Sequence, residues 1–99
     1  MPHLIRLREP WEREPLDEGA VRFTRRFHRP TGLDESSRVW LVIDTAGSSA
    51  AVTLNDRPLR RFNDCPSRFE ITAELVPQNV LIIDVSPPAI LDAVRLEIG

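Results

Sequence analysis

Two neighbouring stretches decide the fold: VWLVIDTAGSSAAVTLNDRPL (39–59) and FEITAELVPQNVLIIDV (69–85). In an extended chain Leu41 and Ile43 share one face, and Trp40 and Val42 share the other. A segment apolar on both faces belongs in the middle of a sheet or beneath a covering element. Ala46-Gly47-Ser48-Ser49 turns the chain and residues 50–54 return it. Asn55-Asp56 then stands where a tight hairpin needs residues that tolerate positive φ. Pro58 cannot donate to a ladder, so 58–62 reads as a short edge strand. Asn63-Asp64-Cys65-Pro66 is a turn, and 68–71 is a strand. Thr72 is placed to cap a single helical turn over 72–75. Residues 79–86 form a strand with Leu81, Ile83 and Val85 facing inward.

The flanks follow the same logic. Residues 3–7 are a first strand, ended by Glu9-Pro10. Residues 10–20 carry two prolines, several acidic residues and Gly19, which predicts a loop or edge crossing. Over 21–29 the alternation is clean: Val21, Phe23, Arg25 and Phe27 on one face, Arg22, Thr24, Arg26 and His28 on the other. Pro87-Pro88 interrupts, and 92–98 is the last strand, with Val94, Leu96 and Ile98 inward. Helical periodicity is nearly absent. About eight short strands with turns between them specify an all-β, antiparallel β-sandwich in one domain over 1–99.

Composition narrows the function classes. The 99 residues are 41% hydrophobic and 28% charged, as expected of one globular domain. All 13 basic residues are arginine, yet the net charge is −2, so no global field recruits nucleic acid or an anionic membrane. Arg22, Arg25, Arg26 and Arg29 form a local basic run without the interleaved exposed aromatics of a nucleic-acid platform. Cys65 is the single cysteine, so no internal disulfide forms and an inert loop thiol is expected. The N-terminus has no apolar signal core and no segment approaches a membrane span. A soluble chain without an export signal is the expectation, and its compartment stays open.

Several pieces, in order, carry a family resemblance. Phe23-Thr24-Arg25-Arg26-Phe27 is similar to an aromatic-x-Arg-Arg-x-Phe strand, one residue tighter. Val39–Gly47 is an apolar strand ending in a glycine turn. Ala51-Val52-Thr53-Leu54-Asn55-Asp56 matches a small-Val-x-Leu-Asn-Gly hairpin, and Phe69-Glu70-Ile71-Thr72 a Phe-x-Ile-Thr element. Gln78-Asn79-Val80-Leu81 opens a strand as Gly-x-Asn-x-Leu does, and Val94-Arg95-Leu96-Glu97 resembles the closing strand. Together these resemble the N-terminal sugar-binding domain of family two glycoside hydrolases. The resemblance implies a jelly-roll of the galactose-binding-domain-like kind. It also implies a non-catalytic role, because the catalytic carboxylates of those enzymes lie in a separate barrel domain. Asp56 departs from the hairpin glycine, and Pro77-Gln78 from the glycine before the asparagine. The connection 57–67 is short where the relatives approach their active site.

The chemistry agrees with a binding role. Retaining glycoside hydrolysis needs two carboxyls about 5–5.5 Å apart in a cleft, and no spacing among the 15 acidic residues argues for one. His3 and His28 have no metal-ligand spacing with Cys65. No Ser-His-Asp signature or glycine-rich phosphate loop occurs. Sandwiches of this kind often hold a structural calcium ion, but about six to eight converging oxygens are needed and no Asp-rich loop supplies them, so no cofactor is expected. Trp11 and Trp40 are the sugar-stacking candidates, since a flat aromatic face meets the C–H face of a pyranose. Burial is the commoner fate of such a ring: Trp40 beneath a crossing segment, Trp11 as a plug at one end. Asn63 and Asp64 are the candidate hydrogen-bonding residues in an end loop. Arg25 shares a face with apolar residues and needs a carboxylate or several carbonyls. An ion pair with Glu70, Asp84 or Glu97 is expected.

The leading expectation is a carbohydrate-binding-like accessory module whose ligand is an oligosaccharide. The alternative is a structural or protein-interaction sandwich that has lost sugar binding, with a second copy of the chain or another protein as partner. Neither nucleic acid nor a membrane is an expected partner.

Overall fold

Alternation along each strand sets which side chains are enclosed, and pairing then stacks the enclosed faces. A computed structural model describes residues 3–63 and 66–99. Its strands are β1 (His3–Arg6), β2 (Glu12–Pro15), β3 (Val21–His28), β4 (Val39–Ala46) and β5 (Ala50–Leu54). They continue with β6 (Arg57–Phe62), β7 (Ser67–Glu70), β8 (Gln78–Val85) and β9 (Leu91–Ile98). Short 3₁₀ turns occupy Asp17–Gly19 and Thr72–Glu74. Among the described residues no helix is long and apolar enough to cross a membrane.

The strands form two antiparallel sheets. The four-stranded sheet has the order β1-β9-β4-β7 and the five-stranded sheet β2-β3-β8-β5-β6. The core lies between them. Leu41, Ile43 and Leu96 from one sheet meet Val52, Leu54, Leu81 and Ile83 from the other, all essentially inaccessible to solvent. Burying each such side chain stabilises the fold by about 1.5–3 kcal/mol. The inward set Leu81, Ile83 and Val85 is as the sequence pattern specifies, and Val94 and Leu96 are buried from β9.

The β5–β6 hairpin turns through Asn55 (φ 53) and Asp56 (φ 66), both left-handed, as a two-residue turn matched to strand twist requires. Asn55 is then fixed to β8: its N–H donates to the Val80 carbonyl at 2.9 Å, and its Oδ1 accepts from the Val80 N–H at 2.8 Å. Asn79, buried at the head of β8, donates through Nδ2 to the carbonyls of Val76 (2.8 Å) and Phe27 (3.3 Å). Such a residue costs little inside a fold because every polar atom is paired.

Three expectations change. The 10–20 segment is more ordered than a crossing loop, because β2 pairs with β3 at the edge of its sheet and brings the strands among the described residues to nine. Thr72 does not cap its turn; its Oγ1 accepts from the Val39 N–H at 2.8 Å and so ties the turn to β4. Arg25 has no carboxylate partner among the described residues. Its guanidinium donates to the Arg8 carbonyl at 2.8 Å and to that of Arg26. The three expected acids are engaged by other arginines: Asp84 by Arg22, Glu70 by Arg38, and Glu97 by Arg68 and Arg95. Cys65 and Asp64 lie outside the described residues.

Candidate functional site

Between β1 and β2 the chain crosses from one sheet to the other, and this crossing builds the wall of a pocket. Leu7 extends the β1–β9 pairing by donating its N–H to the Val94 carbonyl at 2.9 Å, and its side chain is buried. Four residues later Trp11 is held at two points. Its backbone N–H donates to Glu9 Oε2 at 2.7 Å and its indole Nε1–H donates to the Leu7 carbonyl at 3.0 Å. The ring is half-buried against the core and also lines the pocket. An aromatic fixed in this way loses little freedom when a ligand stacks on it.

The pocket encloses about 630 Å³, within the usual range of roughly 300–1,000 Å³ for small-molecule sites. Trp11, Leu4 and Leu91 supply apolar surface. Arg6, Arg8, Arg13 and Arg95 line it together with Glu9, Asp44, Asp92 and Glu97. Most of these charges are already paired. Arg95 donates to Asp44 at 2.8 Å and to Glu97 at 3.2 Å. Arg13 chelates Glu9, and its guanidinium also lies 5.5 Å from the centre of the Phe23 ring. The Arg13 hydrogen bonds, followed by the Trp11 N–H, hold the Glu9 carboxyl below the usual carboxylate range. Arg6, Arg8 and Asp92 have no ion-pair partner among the described residues. At the pocket margin Ala93 adopts a left-handed backbone (φ 53), a conformation that costs an alanine about 1 kcal/mol or more.

The other candidates lie elsewhere. Trp40 is on the outer face of the four-stranded sheet, between Glu70 and Glu97 in the strand register. The Arg68 guanidinium covers its ring at 3.9 Å from the centroid, and Glu97 holds that arginine at 3.1 Å. A sugar reaches the Trp40 face only if Arg68 moves. Asn63 is exposed on the connection after β6. That connection joins the β6 and β7 edges, whereas Trp11 stands by the β1 and β2 edges, at the opposite side of both sheets. The described candidates are thus not gathered into one site; among them Trp11 alone lines the large pocket. Asp64 is outside the described residues. Among the described residues no three His, Cys, Asp or Glu side chains are placed to hold a metal ion.

Sequence reasoning missed Arg6, Arg8, Asp92 and Arg95. The alternation Arg6-x-Arg8 at the end of the first strand was a usable signal. Its meeting with Arg95 depends on the pairing of the two terminal strands, which no local pattern encodes.

No protein-family model and no curated protein sequence matches the chain. Solved structures do. The chain superposes with a TM-score of 0.80 and 19% identity on an FMN-binding beta-glucuronidase from Facaelibacterium prausnitzii L2-6, over 99% of its own length and 22% of that chain. It is 30% identical to a Bifidobacterium dentium beta-glucuronidase solved with coumarin-3-O-glucuronide, over 68% of its length and 11% of that chain, with a TM-score of 0.61. An uncultured Clostridium sp. beta-glucuronidase matches 84% of the chain at 20% identity with a TM-score of 0.69. The chain spans about a fifth or less of the length of each of these glycosidases.

Proposed function

We propose that the protein is a non-catalytic carbohydrate-binding accessory module of the kind found at the N-terminus of family two glycoside hydrolases. The observation that carries this reading is the Trp11 pocket, set in a fold shared with glycosidase chains. Its wall offers a pinned aromatic ring for a pyranose face and charged groups for ring hydroxyls, the combination expected of a sugar site.

A non-catalytic role fits the carboxylates. Asp44 and Glu97 are committed to Arg95, and Glu9 to Arg13. A general acid for glycoside cleavage needs a raised pKa, and that of Glu9 is shifted the other way. Binding would be by stacking on Trp11 with hydrogen bonds from Arg6, Arg8 and Asp92.

Calorimetry with a panel of neutral and acidic oligosaccharides tests the proposal. Dissociation constants of about a millimolar or tighter are expected for at least one class, with loss of binding in Trp11→Ala. Absence of heat across the panel at millimolar ligand overturns it.

A further inference from the structure

The arrangement of charge in the pocket goes further than a general sugar site. In the β1–β9 register Arg6 stands directly opposite Arg95. Like charges placed directly opposite on one sheet face repel. Arg95 is compensated by Asp44 and Glu97, both of whose carboxylates are thereby occupied. Arg6 is not compensated among the described residues. Arg8 follows two positions later and lines the same pocket. Its carbonyl accepts from Arg25, and its guanidinium has no carboxylate partner among the described residues. Two guanidiniums without a carboxylate partner among the described residues therefore line the pocket with a third that is already neutralised. Asp92 also lines the pocket and has no ion-pair partner among the described residues. It does not neutralise Arg6 or Arg8 by ion pairing.

We infer that the pocket takes an anionic saccharide, one whose carboxylate or sulfate group is received by Arg6 and Arg8 while its ring lies against Trp11. Guanidinium matches the planar two-oxygen edge of such groups, and a charge-assisted bond of this kind is roughly twice as strong as a neutral one. Asp92 is left free to accept from sugar hydroxyls. This inference rests on the carbohydrate reading above and specifies the class of sugar.

The test is calorimetry on the full chain with two matched pairs: digalacturonate against its methyl ester, and a 6-sulfated galactose disaccharide against the unsulfated form. In at least one pair the charged member is expected to bind about tenfold tighter or more, the scale of one charge-assisted contact. The preference should shrink as salt rises. In Arg6→Gln/Arg8→Gln, whose side chains are exposed in the native fold, the preference should vanish, so that the charged and neutral members of each pair bind alike. The two arms tell carboxylate from sulfate. Equal binding of charged and neutral members overturns this inference and leaves the carbohydrate reading standing. Failure of all four sugars overturns this inference, and failure of the wider oligosaccharide panel as well overturns the carbohydrate reading.

Discussion

Asn55 Nδ2 donates to Asn79 Oδ1 at 3.0 Å, joining the β5–β6 hairpin turn to the buried head of β8. Around this bond Asn55 also donates to the Glu74 carbonyl, and Asn79 Oδ1 accepts from the Val76 N–H at 3.0 Å. Replacing Asn79 by leucine leaves the Val76 N–H, the Val76 carbonyl and one Asn55 proton short of a partner. A loss of about 2–4 kcal/mol is expected, given roughly 1–3 kcal/mol for each buried group left unpaired and partial relaxation. Urea unfolding followed by circular dichroism measures it. A change below about half a kilocalorie would show that the network is not structural.

Gly47 is fixed by space. A Cβ there would stand 1.9 Å from the Ser86 carbonyl oxygen and 2.3 Å from that of Pro88. Both are backbone atoms, and the Gly47 N–H itself donates to the Ile90 carbonyl at 3.1 Å, so the crossing cannot open without losing a bond. Gly47→Ala is expected to lower stability by about 1–3 kcal/mol or more, the scale of overpacking. Thermal unfolding reads the loss, and an unchanged midpoint would contradict the close approach.

Arg68 is the lid on Trp40. In a Trp11→Phe background, Arg68→Ala should increase acrylamide quenching of the remaining tryptophan and shift its emission to the red. Stability should change by less than about 1 kcal/mol, because an exposed cation–π contact and a surface ion pair are each weak. Unaltered quenching would place the Trp40 ring elsewhere.

Glu9 supplies the pH dependence of the pocket wall. Its carboxyl is lowered by the Arg13 hydrogen bonds and by the Trp11 N–H. A carboxylate with a depressed folded pKa contributes order that is present above its unfolded value and lost as pH falls through the folded one. A carbon-detected NMR titration should give Glu9 a midpoint below the ordinary 4.5, and Arg13→Ala should move that midpoint upward. A wild-type midpoint at or above 4.5 would contradict the clamp.

The legible and illegible parts of the molecule divide by sequence distance. Asn55-Asp56, the alternation of Leu81, Ile83 and Val85, and the edge position of Pro58 are local properties, and the structure has them where the pattern puts them. The inward face of β3 was also read in the right register, since Phe23 is buried and Arg25 lies on the same side at the rim. The partner of Arg25 was not legible. Choosing a carboxylate required knowing that β3 pairs with β8 through Arg22 and Asp84. The short strand β2 was hidden by its prolines and acids, which local propensity assigns to a loop; pairing with β3 overrides that preference. At the site, Trp11 was nameable from its residue type. Its neighbours Arg6 and Arg95 come from the two terminal strands and meet only once the sheet has formed. Asn63 was nameable on the same grounds as Trp11 and lies at the far edge.

The protein holds two indoles, and their N–H signals separate the two aromatic candidates. Trp11 Nε1–H is bonded to the Leu7 carbonyl beside the pocket, and Trp40 lies under Arg68 on the outer sheet face. The decisive measurement is a ¹H–¹⁵N titration of the two indoles with digalacturonate and the sulfated galactose disaccharide. A saccharide ligand of the Trp11 pocket should shift the Trp11 indole progressively to saturation, with the Arg6 and Arg8 amides, and leave the Trp40 indole in place. A Trp11 indole unmoved at millimolar sugar, or shifts centred on Trp40 or Asn63, would contradict the assignment of this pocket.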